Sequence, residues 1–394
     1  MPAEYGFRAD VYDGDFAMKH SFPRLIVLLV ALSIPVLAAE RSDLPNKGLE
    51  NRVDFWKKIF TQYGADDVVI HDKFYVNLIY GVADDSNVNY RIGIVGRTLD
   101  EISANLSTPE NLSPAAQQVY ASMQENGVPL TQSALTDLRA NIHTQRGIKE
   151  RFHDGVVRSG RYVDAFEGIM KAQGVPAQLA LLPLVESSFQ NNAKSKAAAI
   201  GVWQFTRSTG KLYMNVKGKS DDRLDPLKAT RGAAKLLHEN YSALGSWPLA
   251  ITAYNHGRAG MVHAKNEVGP DLPSIIDQYR GPVFGYASMN FYSEFLAAVF
   301  VYENYPRYFG ALALDKPMNT ESKSATVTAV ALAKTTTTTA KKTKPVVVAT
   351  KYKVKNGDTL ATIAQRFKTS IRELMQANNL DRSAIYAGQI LLVK

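Results

Sequence analysis

Glu186 lies in the run Leu181-Leu182-Pro183-Leu184-Val185-Glu186-Ser187-Ser188-Phe189, where the residues before it are all apolar. A carboxyl in such surroundings resists ionisation, so it keeps a proton near neutral pH and can donate it. Gly201-Val202-Trp203-Gln204-Phe205 follows, and further along the chain comes Ala253-Tyr254-Asn255. An acid, an amide in a glycine-aromatic loop and a tyrosine-asparagine pair form a set suited to breaking a glycosidic bond by proton transfer.

These residues need helices to hold them. Tyr162, Phe166, Ile169 and Met170 share one helical face, and Gly174 with Pro176 closes that helix. Pro176 is expected to open a second helix running to Glu186, with Leu182 on the same face as the acid. Asp225-Pro226 reads as an N-cap and first turn, with Gly245 as the stop. Pro248 begins another helix that delivers Tyr254 and Asn255 at its end, and residues 291–302 read as a last buried helix. The stretch 40–149 is expected to be a mostly helical accessory region. Within it Val53, Phe55, Trp56, Ile59 and Phe60 mark an amphipathic helix, 68–70 and 74–79 short strands, 84–89 a turn, and 112–142 further helix.

Composition bounds the rest. The chain has 394 residues and no cysteine, which excludes disulfides, thiolate metal sites, a cysteine nucleophile and a lipid-modified cysteine. Its net charge of +9 resides in residues 311–394, where 14 Lys and Arg face 5 Asp and Glu. No groove-reading motif accompanies that charge, so nucleic acid is not expected as a partner. It suits a charged envelope polymer or simple solubility. The histidines show no metal-ligand spacing, and neither a metal nor another cofactor is expected. Lys19, His20 and Arg24 precede an apolar run from Leu25 to Ala39, short for a membrane span and right for an export signal over 1–39. The expected location is the periplasm or cell envelope, and an uncleaved segment would add a membrane association. Residues 311–350, rich in Ala, Thr, Lys and Val, read as a disordered low-complexity linker. Residues 351–394 read as a compact β-α-α-β unit.

That last unit resembles the LysM module through Val354, Gly357-Asp358-Thr359-Leu360, Ile363-Ala364, Asn378-Asn379 and Gly388-Gln389. The resemblance implies a shallow groove for N-acetylglucosamine-containing glycans, lined by Gly357, Asp358, Thr359 and Leu360 on one side and by Ala384, Ile385 and Tyr386 on the other. Residues 150–310 resemble the lytic murein transglycosylases, of the membrane-bound D type that joins such a domain to C-terminal LysM modules. Glu186-Ser187, Gly201-Val202-Trp203-Gln204 and Ala253-Tyr254-Asn255 match the family's three motifs in order, and Asp222-Arg223-x-Asp225-Pro226 adds a further match. The implied fold class is mainly α, with a lysozyme-like helical catalytic domain followed by the linker and the small α+β module.

The resemblance also implies a mechanism. Glu186 is the single acid and base, cleaving the β-1,4 bond between N-acetylmuramic acid and N-acetylglucosamine of peptidoglycan and leaving a 1,6-anhydro end. Ser187 hydrogen-bonds the glutamate or substrate, Gln204 and Asn255 orient the acetamide, and Tyr254 donates to the carboxylate or stacks on a sugar. A lysozyme-type hydrolase and a non-catalytic peptidoglycan-binding protein stand as alternatives. The sequence departs from the family's Glu-Thr-Arg-x-Tyr segment, reading Ala287-Ser288-Met289-Asn290-Phe291, with Tyr286 or Tyr292 as candidate substitutes. Asp221, Asp222 and Asp225 read as turn and cap residues. Trp203 and Phe205 read as core or as sugar platforms.

Overall fold

The computed structural model describes residues 44–217, 220–318, 350–355, 358, 360–367, 369, 371–378, 380, 385 and 389–393. The expected export signal, the linker beyond 318 and Gly357, Thr359, Ala384 and Tyr386 lie outside them. Two units separate, one ending at Asn319 and one beginning at Thr320.

The first unit opens with α1 (Glu50–Thr61), which buries Val53, Phe55, Trp56, Ile59 and Phe60 on one face, as the apolar spacing predicts. Strands β1 (Val68–Asp72) and β2 (Ile79–Ala83) follow and pair antiparallel. The second apolar segment thus pairs only from Ile79 on, because Asp72 accepts the amides of Phe74 and Tyr75 and bends the chain there. Helices α2 (Val88–Ala104), α3 (Pro114–Glu125) and α4 (Gln132–Ala140) come next. They enclose a small core of their own around Leu78, Leu99, Ile102, Met123 and Leu138. Strand β3 (Ile142–Arg146) completes the sheet in the order β2-β1-β3, where helix had been expected to run to Ile142.

Helices α5 (Lys149–Ser159) and α6 (Val163–Ala172) lead toward the acid. The single helix expected from Pro176 to Glu186 is instead a 3₁₀ turn, Ala177–Leu181, followed by the four-residue α7 (Pro183–Glu186). Pro183 has no N–H to continue an α-helical ladder, so the turn ends before it and a new one starts. Then come α8 (Arg207–Tyr213), a two-residue hairpin of β4 (Val216–Lys217) with β5 (Ser220–Asp221), and α9 (Pro226–Leu244). Asp225 caps α9 by accepting from Leu227 N and Lys228 N, and Gly245 stops it at φ 78°. Helices α10 (Trp247–His256), α11 (Arg258–Val268), α12 (Leu272–Gln278), α13 (Tyr286–Glu303) and α14 (Tyr305–Phe309) close the unit.

Helix α13 is enclosed by other elements, with α1, α10 and α7 packed on it. From Ser288 to Val299 every residue except Glu294 is buried. One main core joins Val53 of α1 to Val301 of α13, so residues 44–63 belong to the same apolar body as the motif helices. Residues 311–318, counted by composition with the linker, are tied back onto it. Asp315 N donates to the Val157 carbonyl and Met318 N to the Arg161 carbonyl, both at 2.9 Å.

The second unit pairs β6 (Thr350–Lys353) antiparallel with β7 (Ile390–Val393), with α15 (Leu360–Arg366) and α16 (Ile371–Ala377) between them in sequence. Val354, Leu360, Ile363, Leu374, Leu391 and Val393 form its core. This is the expected β-α-α-β order, so the chain is mainly α with a small α+β module. Among the described residues no helix is long and apolar enough to cross a membrane.

The loop carrying Gln204 is anchored by a buried arginine. Arg223 is 5% exposed; its Nη1 donates to the Phe205 carbonyl at 3.1 Å, and its guanidinium grips Asp221 at 2.7 and 2.9 Å. Removing it takes three hydrogen bonds from the loop, leaving the Phe205 carbonyl with Ile200 N alone and Asp221 with the backbone N–H of residue 223 alone. Arg223→Ala is expected to lower stability by about 2–4 kcal/mol in denaturant unfolding of the full chain. A loss below about 0.5 kcal/mol, as for an ordinary surface change, would show that the loop is anchored elsewhere.

Candidate active site

Glu186 ends α7, and the chain reverses at once. Ser188 and Phe189 both adopt positive φ, 51° and 57°, a costly conformation for residues with a side chain. The reversal sends Phe189 into the core, where its ring stacks on Tyr162 at 5.9 Å. Ser187 Oγ donates to the Val202 carbonyl at 2.7 Å. It therefore ties the acid's turn to the glycine loop. Ser188 is clamped from α5, accepting from Arg151 Nε at its hydroxyl (3.1 Å) and from Arg158 Nε at its carbonyl (2.8 Å).

The loop itself needs Gly201. Its φ is 80°, and a Cβ there would lie 2.0 Å from the Arg223 carbonyl oxygen. Gln204 also sits at positive φ, 48°. Its Nε2 donates to the carbonyls of Gly201 (2.8 Å) and Ala193 (3.2 Å), which leaves Oε1 as the atom it can offer a ligand. Trp203 is fully buried and donates from Nε1 to Thr230 Oγ1 at 2.8 Å, and Phe205 is also core. Neither ring is a sugar platform.

Helix α10 closes the arrangement. Tyr254 OH donates to the Trp203 carbonyl at 2.8 Å, joining the third motif to the second. Asn255, exposed at the helix end, accepts from Ser288 Oγ at 3.2 Å through Oδ1, so its amide hydrogens are free to face a ligand. Ser288 is also 3.2 Å from Nδ1 of His256, whose Nε2 is buried without a partner among the described residues. Tyr292 donates to the Pro45 carbonyl and Tyr286 meets His71 Nε2, so both candidate substitutes are engaged by other elements. Asp221 grips Arg223, Asp222 pairs with Lys228 and Asp225 caps α9.

Electrostatics gather around the acid. Glu186 keeps a partly exposed face, yet desolvation pushes its carboxyl up to about 8. Tyr254's phenol is raised well above its usual value by burial and then by the Glu186 charge, which puts the two groups within electrostatic range. The same is true of a residue the sequence reading missed. Glu294, on α13, is raised to about 8 by burial and by the Glu186 charge, while Arg151 pulls it down. The available signal was a lone carboxylate in the apolar stretch Phe291–Val301. Among the described residues no group of three His, Cys, Asp or Glu is arranged to hold a metal.

In the second unit, Asp358 closes its turn by accepting from Lys355 N (2.8 Å) and Tyr352 OH (2.7 Å). Leu360 is part of the core and Ile385 packs against it.

Comparison with known proteins matches residues 165–271 to the family described as Transglycosylase SLT domain and residues 352–394 to the LysM domain. Membrane-bound lytic murein transglycosylase D of Escherichia coli K12 is 35% identical over 118 residues, 29% of this chain and 26% of that protein. A putative tributyltin chloride resistance protein of an Alteromonas species is 33% identical over 109 residues, 26% of this chain and 52% of that protein. Cell wall-binding protein YocH of Bacillus subtilis is 51% identical over 43 residues, 11% of this chain and 15% of that protein. The match thus spans about a quarter of the length of the transglycosylase relative. The chain carries a transglycosylase SLT domain followed by a C-terminal LysM domain.

Proposed function

We propose that the protein is a lytic transglycosylase of peptidoglycan, acting in the cell envelope with Glu186 as both acid and base. The observation that carries this reading is the clasp around Glu186. Ser187 bonds Val202 and Tyr254 bonds Trp203, so three motifs remote in sequence meet at one desolvated carboxyl. The relative from Escherichia coli, named as a murein transglycosylase, supports the same substrate class.

The chemistry follows from the proton. Protonated Glu186 gives its proton to the oxygen linking N-acetylmuramic acid to N-acetylglucosamine, and the C1–O bond breaks. The muramic N-acetyl group shields the positive charge developing at C1. Gln204 Oε1 accepts from the acetamide N–H, and the Asn255 amide donates to its carbonyl. Glu186, now a carboxylate, takes the proton from the muramic C6 hydroxyl as that oxygen bonds to C1. The 1,6-anhydro ring closes without water, and the acid is regenerated. A carboxyl poised near ambient pH suits both transfers. The LysM domain binds the same polymer and raises the local concentration of catalytic domain on it. The segment 1–39 acts as the export signal.

Product analysis on purified sacculi tests the reaction. Wild type is expected to release fragments with 1,6-anhydro ends, one water lighter than hydrolytic products. Reducing ends would assign a lysozyme-type hydrolase instead. Glu186→Gln is expected to lower turnover about a thousandfold, and an unchanged lytic band in a zymogram would favour a non-catalytic binding role.

The pH dependence has a definite sign. The acid must be protonated to start the reaction, so kcat/KM should hold below about pH 8 and fall as pH rises through it. A profile that instead falls near pH 4.5, the ordinary glutamate value, would show that the carboxyl is solvated.

Truncation after Met318 keeps the strap on Val157 and Arg161 and removes the LysM domain. Retention on sacculi should drop about ten- to a hundredfold, with turnover on short soluble glycans nearly unchanged. An equal loss on both substrates would remove the tethering role.

A further inference from the structure

Asn255 stands exposed near the end of α10, and its amide can present either its oxygen or its two hydrogens to a ligand. Ser288, buried in the first turn of α13, decides between them. Its Oγ lies 3.2 Å from Asn255 Oδ1 and 3.2 Å from His256 Nδ1. A hydroxyl has one proton to give. Here it goes to Asn255 Oδ1. The contact with His256 is then a hydrogen bond only if Nδ1 carries the hydrogen.

Resting on the transglycosylase reading above, we infer that His256 is a positioning residue for Asn255. Its Nδ1–H donates to Ser288, Ser288 donates to Asn255 Oδ1, and the Asn255 amide hydrogens are thereby held toward the acetamide carbonyl of the muramic sugar.

The far edge of the ring favours the same tautomer. Nε2 is buried and has no hydrogen-bond partner among the described residues. A Cβ on Gly260 would lie 2.4 Å from it, so the Gly260 Cα hydrogen in that direction points at Nε2. A bare lone pair accepts such a contact. An N–H would meet it hydrogen against hydrogen, and would be a buried donor with nothing to receive it. The reverse relay, in which Asn255 donates to Ser288 and Ser288 to Nδ1, requires that N–H. Phe284 packs edge-on to the ring, with centroids 5.1 Å apart, and burial lowers the imidazole's pKa, which favours the neutral form.

The relay joins two helices that pack on each other, α10 and α13. Without it the Asn255 side chain is free to turn over. A reversed amide would set its oxygen against the acetamide oxygen, which removes a donor and adds repulsion where the sugar must be oriented.

The first test is proton–nitrogen correlation NMR of the imidazole nitrogens in the full chain at neutral pH, with His256→Asn identifying the His256 signals. A hydrogen on Nδ1 and a bare Nε2 are expected. A ring protonated at Nε2, or one exchanging between the two forms, overturns the relay. The second test is turnover of soluble glycan strands. His256→Ala should lower kcat about tenfold with KM nearly unchanged, because the hydrogens it orients act as charge develops on the sugar. His256→Asn, whose amide nitrogen can stand near the place of Nδ1, should restore much of the loss. In an Asn255→Ala background, His256→Ala should cost almost nothing further. An unchanged kcat, or the same fold loss in both backgrounds, overturns the proposal. If His256→Ala does not fold, the tautomer measured in wild type decides. Failure of the transglycosylase reading appears elsewhere, as reducing ends in the products of wild type, and leaves the nitrogen measurement to be read independently.

Discussion

The arrangement depends on keeping water away from one carboxyl while leaving it reachable. Among the described residues nothing donates a hydrogen bond to the Glu186 carboxyl in compensation, so its ionised form is disfavoured and its proton is held. That condition is imposed by the architecture around it. The four-residue α7 is too short to persist by itself. It is fixed from one side by Ser187 bonded to Val202 and from the other by arginines of α5 bonded to Ser188. Both sets of contacts run through the backbone turn and leave the carboxyl itself uncommitted.

Backbone strain is concentrated at the same place. The non-glycine residues with positive φ among those described are Ser188, Phe189, Ala198 and Gln204; the first two directly follow the first motif and Gln204 ends the second. Each costs of order 1–3 kcal/mol, and the surrounding contacts must exceed that cost. Phe189 stacked on Tyr162, Gln204 bonded to two carbonyls and Arg223 bonded to Phe205 supply such contacts. A loop held this firmly keeps Gln204 Oε1 and the carbonyl under Tyr254 in fixed positions before any ligand arrives, which is the economical way to orient one.

The parts readable in the sequence are those with local causes. Asp225-Pro226 and Gly245 bound α9 because capping is a matter of a few adjacent residues. The apolar stripe of α1 and the β-α-α-β order of the last unit were readable for the same reason. The stretch 177–186 was misjudged because the effect of Pro183 on the ladder outweighed helical periodicity. Strand β3 was missed since Ile142–Arg146 is mostly polar and forms only by pairing with β1. Glu294 was missed for a different reason. What distinguishes it is burial together with the charge of a residue more than a hundred positions away, and no local pattern encodes that.

Helix α13 explains what the N-terminal stretch contributes. A helix carrying Phe291, Phe295, Leu296, Val299 and Val301 is not stable in water unless every side is covered. Helix α1 covers one side and also satisfies its polar groups, since Arg52 and Trp56 both donate to Asn290 Oδ1. Asn290 in turn donates to the Tyr286 carbonyl and pins the first turn of α13. The side chains of α1 thus hold the N-terminal half of α13, the helix that also packs on α7. The region with no chemical motif therefore acts on the chemistry through packing. A cavity opened at Phe55 or Ile59 would therefore loosen the cover on α13 without touching any residue of the motifs.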